Sequence, residues 1–312
     1  MECNSKKYII AIVGPTAVGK SALAIDLASC LQSEIISADS RLVYKKMDIG
    51  TAKPTLKERK GIKHHLIDVL EPNEEVYSLG RFVNEAEPLI KSIIQEGKTP
   101  VVVGGTGFYF KGLLEKNPVF NVEPNHIFRQ TLEKFSTEEL YNKLKETSTP
   151  EHTWGMSPND RYRIIRALEI ENAFSNKDFH KKINKKNFEW EVLWFGLKAN
   201  NRNFLKEKIS HRIDLMLKSG LIDEVKTLIE EYGELEIFKK TIGYSETINY
   251  LNKEISKEEL KSKIAIATNQ YSKRQMTWFK ANKKIIWFDC FENKSTILEE
   301  IHRRILEKFS KH

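Results

Sequence analysis

Ile9-Ile10-Ala11-Ile12-Val13 runs straight into Gly14-Pro15-Thr16-Ala17-Val18-Gly19-Lys20-Ser21, an apolar strand emptying into G-x-x-x-x-G-K-S. That order specifies a loop built to hold a phosphate chain. The glycines let backbone N–H groups curl around phosphate oxygens, Lys20 reaches the outer phosphates, and the Ser21 hydroxyl stands at a helix N-terminus, placed to ligate Mg²⁺. Leu23, Leu27 and Leu31, with Ala24 and Ala28 beside them, supply the helix that follows. A chance match in a loop would lack this strand and helix context.

Residues 8 to about 112 alternate in the same way, with strands expected over 8–13, 34–37 and 100–103 and helices over 20–31 and 79–95. The implied fold is α/β, a P-loop parallel sheet flanked by helices. Val101-Val102-Val103 is apolar throughout, as a central parallel strand is, and empties into Gly104-Gly105-Thr106-Gly107. Ligands in such sheets bind at the carboxyl ends of strands, so the loops 14–21, 37–41 and 104–107 are expected to converge. Beyond Asn117 the pattern turns to helices with charged surfaces. Ser136-Thr137-Glu138-Glu139 and Ser256-Lys257-Glu258-Glu259 have capping-box spacing, and Pro158-Asn159-Asp160 leads into a helix from Arg161. These signals place a helical insertion at 117–186 within a core made of 1–116 and 187–312. The core resumes with a strand over 190–197, helices from 203 with breaks at Gly220 and near Gly233, a helix over 256–279 and a last strand over 285–288.

The 312 residues are 40% apolar and 30% charged, ordinary for a globular chain. No apolar run reaches the ~18 to 20 residues of a bilayer span, and no charged segment with an apolar core opens the chain, so the expected compartment is the cytoplasm. Cys3, Cys30 and Cys290 form no C-x-x-C pair, which suggests neither zinc nor disulfides. The net charge of +8 is concentrated: residues 261–284 hold seven Lys or Arg and no Asp or Glu. Residues 161–190 carry eight basic against four acidic side chains, with Tyr162, Phe174, Phe179 and Phe188 among them. Such stretches suit phosphate backbones and unstacked bases, although a solvated basic face has the same composition.

A P-loop identifies a bound group and leaves the reaction open. Asp39, in Ser37-Ala38-Asp39-Ser40-Arg41, leaves the second strand where the sheet presents ligands. It is a candidate Mg²⁺ ligand, a candidate general base, or a simple loop cap. His64 and His65 are adjacent, so their side chains diverge without a third ligand, and they are read as hydrogen-bonding or packing residues.

Taken in order, GPTAVGKS (14–21), ISADSRLVYKKMDIGTAKP (36–54), HHLID (64–68), VVGGTGFYF (102–110), SPNDRYRIIRALEI (157–170), RIDLMLKSGLIDEV (212–225), IGYSE (242–246) and QYSKRQMTWF (270–279) resemble the tRNA dimethylallyltransferases, also called tRNA isopentenyltransferases. The resemblance implies transfer of a dimethylallyl group from dimethylallyl diphosphate to N6 of the adenosine just 3′ of the anticodon, in tRNAs reading codons that begin with U. Diphosphate would be held by Gly14, Pro15, Thr16, Ala17, Val18, Gly19, Lys20 and Ser21, with Lys273 and Arg274, whose block with Gln275 is assigned to the diphosphate and channel side, and Mg²⁺ by Ser21. Asp39 would take the proton of the acceptor amine, with Thr106 beside it and Lys20 on the departing diphosphate. RNA contacts are implied for Asp39, Ser40, Arg41, Leu42, Thr106 and Arg129, for Tyr162, Arg163, Ile164, Ile165 and Arg166, and for Lys240, Thr241, Ile242, Gly243, Tyr244, Ser245 and Glu246. The insertion at 117–186 becomes the part that clasps the anticodon stem-loop, and a monomer is the family expectation.

The chain departs from the family at Asn269, where Arg is frequent, at Trp154-Gly155-Met156-Ser157 and at Asn172 to Lys177, all in regions expected to face RNA. An adenylate isopentenyltransferase shares loop and donor but acts on a free nucleotide and needs no basic insertion. A small-metabolite P-loop kinase would turn over ATP without a prenyl donor, and a non-catalytic RNA-binding protein would have no use for Lys20 and Asp39 together.

Overall fold

β1 (Lys7–Val13) is the hub of a parallel sheet, with Ile9 through Val13 fully buried. It pairs with β4 (Val101–Val103) on one side and β5 (Trp190–Lys198) on the other, Ile10 and Ile12 opposite Val101 and Val103. With β2 (Ile35–Ser37), β3 (His64–His65) and β6 (Ile286–Asp289) the order is β3-β2-β4-β1-β5-β6, every pairing parallel. The computed structural model describes residues 7–74, 76–115, 122, 124–147, 156–173 and 190–309. The expectations for Cys3, Asn117, Trp154, Gly155, Phe174 to Lys177, Phe179 and Phe188 lie outside the described residues.

The chain divides into two compact units, residues 1–115 with 188–312, and residues 116–187. In the larger unit, α1 (Lys20–Cys30) turns Leu23, Ala24, Ile25, Leu27 and Ala28 inward. They join a core with Ile297, Ile301 and Ile305, one stripe at four-residue spacing on α12 (Lys294–Phe309). Burying each of these Ile or Leu side chains contributes about 1.5–3 kcal/mol. α2 (Leu79–Gln95) starts at Ser78, whose hydroxyl accepts from the Arg81 N–H, and buries Phe82, Val83, Ala86, Ile90 and Ile93. Phe82 stacks at 4.2 Å on Tyr109 of α3 (Gly107–Leu114). After β5 come α7 (Arg202–Lys218), α8 (Leu221–Tyr232), α9 (Glu236–Lys239), α10 (Tyr244–Leu251) and α11 (Lys257–Lys280). The breaks at Gly220 and Gly233 fall where the sequence places them, both glycines having positive φ.

The smaller unit contains α4 (His126–Glu133), α5 (Thr137–Thr147) and α6 (Arg161–Ala173) around Leu132, Leu140, Leu144, Ile164 and Leu168. Ser136 and Glu139 form the expected reciprocal cap, and the Asp160 carboxylate accepts from the Arg163 N–H at the start of α6.

The edge strand β3 has no strand signal, because His64-His65 is polar and two residues long. It is fixed from outside: His65 Nε2 lies 2.6 Å from Glu34 Oε2, and Lys98 donates to the same carboxylate at 3.0 Å. Burial alone would raise the Glu34 pKa, but hydrogen bonds from His65, Lys98 and Lys63 outweigh it and hold the group down at about 2.

Candidate active site

Three adjacent strands, β2, β4 and β1, deliver their loops to one edge. The Ala38 N–H donates to the Val103 carbonyl at 2.7 Å, the Gly104 N–H to Ile12 at 3.2 Å and the Thr106 N–H to Ala38 at 3.3 Å. Close approach dictates the glycines: a Cβ on Gly104 would lie 2.1 Å from the Ala38 carbonyl oxygen, and one on Gly14, at φ 140°, would lie 2.2 Å from that of Leu197. Thr106 then accepts from the Ser40 N–H at 3.1 Å, locking the loop after β2 to the loop after β4. Loops 37–41 and 104–107 are therefore joined by direct hydrogen bonds, and loop 104–107 is bonded to the end of β1, the strand that leads into loop 14–21.

The Gly14–Ser21 loop enters α1 through Ala17 and Gly19, both at positive φ, and Gly19 caps the helix without a side-chain bond. First-turn N–H groups are thus left facing the loop's concave side. Lys20 folds back to donate to the Pro15 carbonyl at 2.5 Å. Its ammonium is desolvated, which pulls its pKa down to about 8; Asp39 acts upward on it and Arg212 downward. Arg212, on α7, donates to the Thr16 hydroxyl at 3.3 Å, and burial lowers its pKa too, with Asp39 opposing. Two cations short of solvent and one carboxylate share this loop, so a polyanion would relieve the cations' desolvation.

Gln275 closes the arrangement. Its side-chain oxygen accepts from the Thr16 N–H at 2.8 Å and its amide donates to the Gly105 carbonyl at 2.9 Å, bridging two loops from within α11. Tyr271, one turn earlier, is pushed up to about 12 by burial and by Asp39, so it stays a neutral phenol. Arg274 lies over the Tyr271 ring at 5.7 Å. Lys273 is exposed and leaves α11 about 160° around the helix from Gln275, so the face meeting the Gly14–Ser21 loop carries Gln275 and not Lys273. Ser21 is exposed at the head of α1. Its hydroxyl and the Asp39 carboxylate are hard oxygen donors, the chemistry that suits Mg²⁺. Among the described residues no cluster of three or more His, Cys, Asp or Glu is placed to hold a metal on its own.

A second layer ties the loop after β2 to α10. Arg41 reaches the Lys240 carbonyl at 3.3 Å. Glu224 accepts from the N–H groups of Asp48, Ile49 and Gly50, at 3.1, 2.7 and 3.1 Å, and from the Tyr244 hydroxyl at 2.5 Å. Lys53, buried, donates to Tyr44 O at 2.7 Å and pairs with Asp48 at 2.6 Å and Asp68 at 2.5 Å. The blocks 36–54, 64–68, 212–225 and 242–246 are thereby one connected structure. Along 240–246, Thr241, Gly243 and Tyr244 are buried, and Glu246 caps α10 by accepting from the Gly243 N–H at 2.7 Å. Those side chains position the segment, while Lys240 is exposed and Leu42, Ile242 and Ser245 are half-buried.

In the smaller unit, Arg129 makes a two-pronged bond to Glu169 at 2.9 and 2.9 Å, and Arg166 donates to the same carboxylate at 2.5 Å. Glu169 is 1% exposed. Burial would raise its pKa, but the bonds from Arg129, Arg166 and the Asn125 N–H hold it down at about 2. Tyr162 is 72% exposed. Arg163 is exposed and pairs with Asp160 at 3.2 Å. Ile165 is half-buried, whereas Ile164 is fully buried, so its side chain serves the three-helix core rather than a surface contact.

Arg212 and Tyr271 are the site residues that motif reading does not assign, and Gln275 it places only as part of a block with Lys273 and Arg274. All three lie within blocks quoted for the resemblance, yet they sit on helices distant in sequence from the loops they touch, and only the packing of α7 and α11 against the loops reveals their part.

The sequence model of the family described as IPP transferase matches residues 42–282. A tRNA dimethylallyltransferase of Caldanaerobacter subterraneus subsp. tengcongensis is 43% identical over 308 residues, 96% of each chain. One from Streptococcus agalactiae is 42% identical over 278 residues, covering 88% of this chain and 89% of its own. Among solved structures, the full-length tRNA isopentenylpyrophosphate transferase of Bacillus halodurans superposes with a TM-score of 0.72 at 34% identity, covering 98% of this chain and 97% of its own. A eukaryotic dimethylallyltransferase acting on tRNA reaches a TM-score of 0.78 at 30% identity, over 92% of this chain and 74% of its own. With loop, carboxylate and bridging glutamine in place on a chain so similar from end to end, the protein belongs to the tRNA dimethylallyltransferase family.

Proposed function

We propose that the chain transfers a dimethylallyl group from dimethylallyl diphosphate to N6 of the adenosine 3′-adjacent to the anticodon, in tRNAs reading codons that begin with U, and releases diphosphate. The observation carrying this reading is the pair of desolvated cations, Lys20 and Arg212, set against the Asp39 carboxylate beside a backbone loop. An allylic diphosphate ionises when its leaving charge is neutralised. Lys20, Arg212 and the N–H groups at the head of α1 supply that neutralisation. Mg²⁺, held by Ser21 with the diphosphate oxygens, would add Lewis-acid charge at the same place.

The acceptor amine is a poor nucleophile because its lone pair is conjugated into the purine. Asp39 is the base proposed for its proton, with its own loop pinned by Thr106 through Ser40. An adenine stacked in an anticodon loop cannot reach that carboxylate, so the base is extruded, at about a few kcal/mol that RNA contacts offset. Arg41 and Lys240, tied together by a hydrogen bond, and the exposed Tyr162 and Arg163 are the contacts proposed for this purpose. Among the described residues no helix is long and apolar enough to cross a membrane, and a cytoplasmic monomer is the working form proposed.

The test is transfer of labelled dimethylallyl from its diphosphate to unmodified tRNA, to AMP, or to no acceptor. Label in tRNA alone supports the reading. Label in AMP would reassign the chain to cytokinin synthesis, and ATP turnover without any transfer would make it a small-metabolite kinase.

A further inference from the structure

Beside the Thr106 loop lies a surface that the proposed chemistry does not use. Phe108, two residues beyond Thr106, is 55% exposed, and Trp278, one turn beyond Gln275 on α11, is 42% exposed. Their rings meet edge to face at 6.2 Å and 84°. The indole packs over the first residue of α3, where a Cβ on Gly107 would lie 2.0 Å from Trp278 Cδ1. That contact fixes the ring's direction while leaving it open to solvent. Cations surround the pair: the Lys111 ammonium sits 6.0 Å from the Trp278 ring centroid, Arg274 is one turn earlier on the same helix, and residues 261–284 hold no acidic side chain.

Single exposed apolar residues are ordinary on a protein surface. Two adjoining aromatic rings, one of them packed on Gly107, beside positive charge and next to the reaction edge are a different arrangement. A protein partner's apolar patch has no use for the neighbouring cations, whereas an unpaired nucleotide offers a π face and a phosphate together. We propose that Phe108 and Trp278 form a stacking platform for an unpaired nucleobase immediately flanking the reacting adenosine, with Lys111 and Arg274 meeting its phosphates. The proposal rests on the tRNA reading above and names a further RNA subsite on this chain.

The test is a coupling experiment on anticodon-stem hairpins that carry an abasic residue immediately 5′ or 3′ of the target adenosine. Hairpin binding and prenyl transfer are measured for wild type, Phe108→Ala and Trp278→Ala, with thermal melts to confirm folding. Each variant should bind the intact hairpin about tenfold more weakly, within the range stacking on an aromatic contributes. One of the two abasic hairpins should erase that loss, so that the protein and RNA changes together cost no more than either alone. Additive losses at both flanking positions would overturn the platform while leaving the tRNA reading intact. No binding or transfer with the intact hairpin and wild type would overturn both. Phe108→Ala separates the cases should Trp278→Ala fail to fold, because its ring is the more exposed of the two.

Discussion

Replacing Lys20 by methionine removes a charge that the folded chain holds at a cost. The Lys20 pKa falls from 10.5 to about 8 on folding, chiefly by desolvation. At about 1.4 kcal/mol per unit, the folded state gives up roughly 3 kcal/mol at pH 7 to keep the ammonium charged. Methionine recovers this and forfeits the bond to the Pro15 carbonyl, worth about 1 kcal/mol. The net expectation is a gain of about 2 kcal/mol, or roughly 4 °C in melting temperature. The sign with pH follows from proton binding: a lysine with a lowered folded pKa binds fewer protons than the unfolded chain between about 8 and 10.5, so wild-type stability from this group rises with pH across that window. The variant's advantage should be full below pH 8 and shrink toward nothing near pH 10.5. Thermal melts of both proteins at pH 7 and pH 10 measure it, and prenyl transfer should be lost in the variant at every pH. A Lys20→Met protein less stable than wild type at pH 7, or with an advantage unchanged at pH 10, would refute the reasoning.

Glu169→Ala leaves the Arg129 and Arg166 guanidiniums and the Asn125 N–H facing a buried gap, and should cost about 3 kcal/mol by urea unfolding. In wild type the same carboxylate, with its folded pKa depressed to about 2, contributes stability that is complete above its ordinary 4.5 and lost as pH falls toward 2; acid titration followed by circular dichroism should show that loss, and a Glu169→Gln protein should lack it. Gly104→Ala drives a Cβ into the Ala38 carbonyl and should cost about 2–3 kcal/mol, with transfer activity falling further than the melt because Thr106 and Ser40 move with it. Gln275→Ala deprives the Thr16 N–H and the Gly105 carbonyl of their partner, which should cost about 2 kcal/mol and weaken diphosphate binding measured by calorimetry.

The sheet is legible wherever burial is two-sided and the strand is long enough to be apolar. Ile9 to Val13 and Val101 to Val103 have no polar residue to confuse the pattern, and their loops follow from them. β3 is not legible, since two histidines become a strand only because β2 offers them an edge and the Glu34 carboxylate a hydrogen-bonding partner for His65. Loop chemistry near the P-loop motif is similarly local: Gly14 to Ser21 can be assigned from spacing because a strand, a turn and a helix N-terminus must be consecutive. The positions of Arg212 and Gln275 cannot, because α7 and α11 reach Thr16 by tertiary packing, 196 and 259 residues along the chain. Motif transfer also overreaches inside a block: Ile164 and Tyr244 are fully buried, and their side chains do work that runs of neighbouring surface residues conceal.

The central claim is tested most directly by locating the added mass. Unmodified tRNA is incubated with dimethylallyl diphosphate, Mg²⁺ and either wild type or Asp39→Ala, then digested and the adenosine 3′ of the anticodon is read by mass spectrometry. Wild type should place one dimethylallyl group on N6 of that nucleoside, and Asp39→Ala should do so about 10²-fold more slowly with tRNA affinity nearly unchanged. Modification at another nucleotide, or equal rates for the two proteins, would contradict the account.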